Sequence, residues 1–350
     1  MTTRGRSESG ESRRVKGGCG KRTRMLRSVP ACLLVGLPVM GVTAYVAAWH
    51  RANRARVVLE AGEPVLALSV VRDQVCVAEA SGYQIIDQAG SVLERAKTDA
   101  GVVIEAIAPN VLAIAGGDPL DTSRNPESFG IRITENGVTR RELVGHAWLV
   151  HALAVSPDGR TLVSGGRDRT IRVWDIDTGS ARAVMPVRAE LIRSLAVSRD
   201  GDYLVAAACE TVVVVNLRTE QHIRTIQLEG PSEAASVAFG SGDEFFVGTT
   251  NGELVSFNAR SDRGGRTVAS LTSGVWGLDC DETGDLLCAG TRRGDVVLMS
   301  TSSGDILRLE RNAHDGECRA VRFSIDGNAV YSAGLDGVLR RWPVYPWWRW

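Results

Sequence analysis

Beyond residue 55 the chain alternates apolar and polar positions in short bursts. HALAVS (151–156), RSLAVS (193–198), ASVAFG (235–240), WGLDCD (276–281) and RAVRFS (319–324) each read as a strand with one buried face. One apolar anchor can be marked in each such strand: Leu68, Ile107, Leu153, Leu195, Val237, Leu278 and Val321. The intervals between them are 39, 46, 42, 42, 41 and 43 residues. A strand-based period of about 40–45 residues predicts the blades of a β-propeller.

Turn chemistry repeats at the same period. SPDG (156–159), SRDG (198–201), ETGD (282–285) and SIDG (324–327) follow the anchor strand in four units. Such Asp/Gly pairs supply the positive φ of a tight hairpin. A second turn follows at Asn251-Gly252, Arg293-Gly294 and Asp336-Gly337, and then a third strand such as IRVWD (171–175), ELVSF (253–257) or DVVLM (295–299). Fourth strands read RRELVG (140–145), RTIQLEG (224–230), RTVASL (266–271) and ILRLER (306–311).

The seventh unit stops after three strands, while RVVLEAGE (56–63) stands before the first unit and reads like a fourth strand. The expectation is an all-β, seven-bladed propeller of four-stranded antiparallel blades over 56–343, with 56–63 completing the last blade. That removes an open sheet edge. The longest interval contains 116–130, GGDPLDTSRNPESFG, where Pro119 and Pro126 predict an enlarged loop rather than extra strand.

Two units share one polar constellation. His146 precedes Ser164 by 18 residues, Asp168 by 22 and Trp174 by 28, and His314 precedes Ser332, Asp336 and Trp342 by the same three offsets. Ser, His and Asp are the types of a hydrolase triad. A triad, however, needs an exposed nucleophile beside an oxyanion hole. Both serines fall inside predicted second strands, and the Gly-x-Ser-x-Gly elbow is missing. A structural role is the expectation.

LVGHAWLVHALAVSPDGRTLVSGGRDRTIRVWD (143–175) resembles the WD-repeat (WD40-type) β-propeller family. Gly145-His146 matches its Gly-His signature and Trp174-Asp175 its Trp-Asp signature. The resemblance is strong in the third and seventh units. It implies that the two quartets are buried hydrogen-bond chains tying the loop before strand one to strands two and three. The fourth, fifth and sixth units carry Val215-Asn216, Phe257 and Met299 near the Trp-Asp position, so apolar packing alone is expected there.

Composition modifies this picture at the N-terminus. The 350 residues include 41 basic and 41 acidic side chains, but nine of the basic ones and only two acids, Glu8 and Glu11, lie in residues 1–28. That segment reads as a disordered basic tail. Residues 29–49, VPACLLVGLPVMGVTAYVAAW, carry no charge and match the length of a transmembrane helix. A cleaved secretion signal and a buried core helix are the alternatives. Positive charge stays on the cytoplasmic side, so the expected topology is single-pass, with the N-terminus cytoplasmic and the propeller extracytoplasmic. A secreted or a cytoplasmic-facing propeller is the alternative. Residues 50–55 form a linker. The slight acidic excess of the body argues against nucleic acid as a partner.

The short linker reaches at most about 25 Å, so the rim of strand-three/strand-four turns is expected to face the bilayer. The tail, residues 344–350, leaves from that rim. Its Trp347, Trp348 and Trp350 either dock on the membrane surface or fold back over a blade. The opposite rim carries Trp148, Arg167, Arg169, Arg292 and Arg293, types enriched in binding hot spots. A protein or peptide partner is expected there.

Cofactor and metal motifs are not found. The seven cysteines are scattered and most read as small core residues; a Cys280–Cys288 bridge across one hairpin is the alternative. LDCDETGD (278–285) reads as turn solvation rather than a calcium site. The expected function is a membrane-anchored, non-catalytic protein-interaction scaffold. The alternative is an extracytoplasmic propeller enzyme, lactonase- or quinoprotein-like, with its site in the central channel. Five histidines, His50, His146, His151, His222 and His314, leave few groups for that chemistry.

Overall fold

The computed structural model describes residues 55–98, 103–116 and 126–344. The tail at 1–28, the apolar span at 29–49, most of the linker, and Trp347, Trp348 and Trp350 lie outside the described residues. Among the described residues, no helix is long and apolar enough to cross a membrane.

The described chain forms 28 strands in seven antiparallel four-stranded sheets. β1 is Arg56–Glu60. Blade 1 follows as β2 (Val65–Val71), β3 (Gln74–Glu79), β4 (Gly82–Asp87) and β5 (Val92–Lys97). Blade 2 is β6 (Val103–Ala108), β7 (Val111–Ala115), β8 (Ile131–Glu135) and β9 (Val138–Leu143). Blade 3 is β10 (Val150–Val155), β11 (Thr161–Gly166), β12 (Thr170–Asp175) and β13 (Ala181–Pro186). Blade 4 is β14 (Ser194–Val197), β15 (Tyr203–Ala208), β16 (Thr211–Asn216) and β17 (Gln221–Gln227). Blade 5 is β18 (Ala234–Phe239), β19 (Glu244–Thr249), β20 (Glu253–Asn258) and β21 (Arg266–Ser270). Blade 6 is β22 (Val275–Cys280), β23 (Leu286–Thr291), β24 (Val296–Ser300) and β25 (Ile306–Glu310). Blade 7 is β26 (Cys318–Phe323), β27 (Ala329–Gly334) and β28 (Val338–Pro343), completed by β1 in the order β1-β28-β27-β26.

The core lies between blades rather than within any one of them. Seven buried apolar clusters occupy the seven interfaces; the one between blades 7 and 1 unites Tyr331, Ala333 and Leu339 with Leu68, Val75 and Val77. A single sheet buries little by itself, so burial and ring closure form together. Innermost strands are also stitched across interfaces. Ala106 N donates to Ser69 Oγ at 3.0 Å, and Phe323 N to the Asp279 carboxylate at 2.7 Å.

Serines close the turns that the Asp-Gly pairs mark. Ser156 Oγ donates to Asp158 at 2.5 Å and accepts from Thr161 N at 2.9 Å; Ser198 and Ser324 repeat both bonds. Gly159 sits at φ 71° and Gly327 at φ 66°, where a side chain would be strained. In blade 2 the apolar anchor is not Ile107. Ile107 falls at a bulge, and Ile104, facing Ile114, takes the place that Leu68, facing Val77, holds in blade 1.

Candidate functional site: two buried quartets and an arginine-tryptophan channel mouth

In blade 3 the loop before β10 brings His146 against β11 and the β11–β12 turn. His146 Nε2 lies 2.7 Å from Ser164 Oγ, and its Nδ1 lies 2.9 Å from Asp168. Trp174 Nε1, from β12, donates to the same Ser164 Oγ at 2.8 Å. A carboxylate only accepts and an indole N–H only donates. The chain of bonds therefore runs from the Ser164 hydroxyl to His146 Nε2, and from His146 Nδ1–H to Asp168.

Blade 7 repeats the arrangement. His314 lies 2.8 Å from Ser332 and 2.9 Å from Asp336, and Trp342 Nε1 donates to Ser332 Oγ at 2.7 Å. Ser164 and Ser332 are both 0% exposed, and each hydroxyl already serves a Trp and a His. Neither oxygen is available to attack a substrate.

The two quartets differ around the carboxylate. Asp168 also accepts from Ala147 N at 3.0 Å and from the Thr170 hydroxyl at 2.8 Å. Val338 replaces that threonine in blade 7, and Arg340 Nη1 donates to Asp336 at 2.8 Å instead. Arg172, at the corresponding place in blade 3, lies over the Trp174 ring at 5.9 Å. Burial alone would raise the Asp168 carboxyl, but the His146 bond and its charge, with the further donors, outweigh it and hold it at about 2. Asp336 is lowered too: burial opposes, and the bonds from His314 and Arg340 prevail. His314 is pushed down, chiefly by burial.

Blades 1, 5 and 6, which lack a quartet, use other polar ties, so apolar packing alone does not describe blades 5 and 6. In blade 5 Thr250 Oγ1 accepts from Glu233 N at 3.1 Å, joining the same pair of loops. Asn312 N reaches Asp295 at 2.8 Å between the blade 6 turn and the loop entering blade 7. Blade 1 has Glu63, which accepts from both Ser81 N and Ser81 Oγ.

Cys280 and Cys288 form no bridge. Cys280 faces Leu287 and Cys288 faces Asp279, one register step apart, and the five described cysteines are free. Asp281, in the acidic stretch, accepts from Leu286 N at 2.8 Å and the Thr283 hydroxyl at 2.6 Å, as a turn residue does. Among the described residues, no group of three or more His, Cys, Asp or Glu is placed to hold a metal ion.

The innermost strands enclose a channel of about 730 Å³. It is lined by Glu105, Asp279 and Arg322 from blades 2, 6 and 7, and by Ala154, Ala196 and Ala238 from blades 3 to 5. Burial pushes Glu105 up to about 7 against the pull of Arg322, and raises Asp279 as well. At the far end Arg199 leaves blade 4, donates to Gly240 O of blade 5 at 3.2 Å, and reaches the carbonyls of Cys280 and Asp281 in blade 6.

At the other end, the rim of strand-two/strand-three turns, Arg167 lies over the Trp148 ring at 4.9 Å. Arg169 and Arg293 are exposed, and Arg292 stands 3.5 Å from Glu317. At the channel mouth itself, Trp276 is flanked by Arg193 at 5.7 Å and Arg319 at 5.1 Å. Arg193 pairs with Glu233 at 2.8 Å and Arg319 with Glu317 at 2.7 Å. Reading the sequence for exposed turns did not single out this trio. The signal was present: all three, like His151, stand two residues before an anchor.

Residues 137–175 and 307–343 match the family WD domain, G-beta repeat; each segment takes in the outer strand of one blade, β9 or β25, and the first three strands of the next, blade 3 or blade 7. The match thus covers two segments and leaves the remaining strands unmatched. Among curated relatives, the chain is 24% identical over 262 residues to a maize (Zea mays) guanine nucleotide-binding protein subunit beta, covering 68% of each protein. It is 25% identical over 215 residues to the Drosophila melanogaster protein groucho, 59% of this chain and 28% of that protein. A WD repeat-containing protein 91 homolog of Dictyostelium discoideum is 24% identical over 195 residues, 54% of this chain and 25% of that protein. The matches thus span about a quarter of the length of the last two relatives. The two matched segments are those that hold the quartets.

Proposed function

We propose that this protein is a non-catalytic platform for protein partners, which engage the rim of strand-two/strand-three turns. The observation that carries this reading is the set of arginine-tryptophan contacts on that rim, Arg167 over Trp148 and the Arg193–Trp276–Arg319 group. Trp and Arg concentrate binding energy where they can be desolvated on contact. The WD-repeat relatives, including a guanine nucleotide-binding protein subunit, support it. The quartets act as braces that hold the loops of this rim, because an unpaired buried member would cost about 1–3 kcal/mol.

In this reading residues 1–28 are a cytoplasmic tail, 29–49 anchor the chain in a membrane, and the propeller lies outside, with Trp347, Trp348 and Trp350 at the lipid surface. The length and lack of charge of 29–49 and the basic residues before it support that topology.

Photo-crosslinking tests the rim. A crosslinking residue in place of Arg169 or Arg293 should trap a protein partner in cells, and one in place of Asp177 or Asp305, on the opposite turns, should not. Trapping only from Asp177 and Asp305 would reverse the assignment. A reporter fused after Trp350 tests topology: activity only in the cytoplasm would remove the extracytoplasmic reading.

A further inference from the structure

The chemistry of the channel mouth narrows the kind of partner. Resting on the platform reading above, we infer that the mouth takes an extended segment of a partner protein that inserts a carboxylate side chain between Arg193 and Arg319.

Unmatched donors are the first reason. The indole N–H of Trp276 and the Nε–H of Arg193 are buried, and neither finds an acceptor. Both groups can only donate. A buried donor left unpaired is costly, and an incoming acceptor removes that cost. Two such donors beside one ring call for an acceptor-rich ligand.

Charge is the second. Arg193 and Arg319 flank Trp276 and pair with Glu233 and Glu317, and Glu317 also meets Arg292, so the linked group holds three guanidiniums against two carboxylates. Arg193 and Arg319 line the channel, whereas Glu233 and Glu317, each just before its strand, do not. His151, on the opposite wall, reports the same field. It is pushed below its ordinary value by burial and then by the charges of Arg167 and Arg193. A cationic segment would meet repulsion here, and an anionic one would be drawn in.

Geometry is the third. Leu66, Leu149 and Leu191 line the same opening, so an apolar side chain beside the carboxylate would also be covered. A guanidinium fork recognises a planar carboxylate by paired bonds, which makes the trio more selective for Asp or Glu than for a neutral amide.

The test is selection of a random displayed peptide library on the full-length protein in detergent, followed by fluorescence anisotropy with the selected peptides. Peptides enriched in Asp or Glu are expected. Their binding should weaken at least fivefold in Arg193→Gln and in Arg319→Gln, weaken on Glu-to-Gln replacement in the peptide, and hold in Arg263→Gln, an exposed residue of the opposite turns. Thermal unfolding of each variant separates lost binding from lost folding. Peptides without acidic enrichment that are lost in Trp148→Ala or Arg167→Ala would overturn the carboxylate assignment and leave the platform reading standing. Peptides insensitive to every rim substitution, or no binders at all, would overturn both.

Discussion

Glu60 faces Val338 in an antiparallel ladder, and Arg56 faces Arg341, so the first described strand is the outer strand of the last blade. The ring is held shut by this ladder and by the blade 7–blade 1 core, not by a covalent link. Each ladder bond contributes only about 1 kcal/mol net, but losing the strand also uncovers a sheet edge. A chain starting at Ala61 should be less stable than one starting at Ala55 by on the order of 3 kcal/mol, and should self-associate. Urea unfolding and size-exclusion chromatography would show it; equal midpoints would contradict the closure argument.

Ser164 serves two buried partners with one hydroxyl. Ser164→Ala strands both His146 Nε2 and Trp174 Nε1, so a loss of about 1–3 kcal/mol is expected. Ser332→Ala should cost a similar amount. Adding Trp174→Phe to Ser164→Ala should cost less than the separate effects combined, because the stranded indole N–H is removed. Additive losses in denaturant titrations would mean that the shared oxygen is not the coupling point.

Two carboxyl groups act on stability with opposite signs. Asp168, held at about 2, lies below its ordinary value, so its contribution is present at neutral pH and is lost as pH falls from about 4 through about 2. Asp168→Asn should remove that acid sensitivity. Glu105 is raised to about 7, so the folded state holds its proton more tightly. Stability should therefore fall as pH rises from about 4.5 to about 7. Arg322 and Asp279 face the same group from blades 7 and 6. Glu105→Gln should flatten the neutral part of the profile and leave the acid limb unchanged. Unfolding midpoints across pH 2–8 would decide both.

Cysteine reactivity should follow burial. Cys76 is pushed up to about 12, and Cys280, Cys288 and Cys318 are also raised, in each case mainly by burial. Of the five described cysteines only Cys209 is partly exposed. Among these five, a thiol reagent on the native protein should label Cys209 first, with the other four reacting only on unfolding. Mass mapping that finds Cys288 modified early would contradict the closed blade 6–blade 7 interface.

Much of the architecture was legible residue by residue. Leu153, Leu195, Val237, Leu278 and Val321 mark their strands because alternation is a local property of a half-buried strand. The blade 2 anchor was misplaced by three residues, since a bulge near Ile107 breaks the alternation that the reading depends on. The His146 and His314 quartets were legible through repeated spacing. The Thr170 and Arg340 bonds around them were not, because a carboxylate accepts equally well from either donor.

By itself the sequence determined the blade count, the order of strands and the two matched quartets. All of these are written within windows of about 42 residues, where period-two patterning and turn chemistry act. Only the tertiary structure decided that Arg193, Trp276 and Arg319 share one opening, that Glu105 lies near Arg322, and that Arg199 reaches across blade 5 to blade 6. Those residues come from different blades. Their meeting follows from ring closure, which is set by the summed packing of seven interfaces rather than by any local pattern.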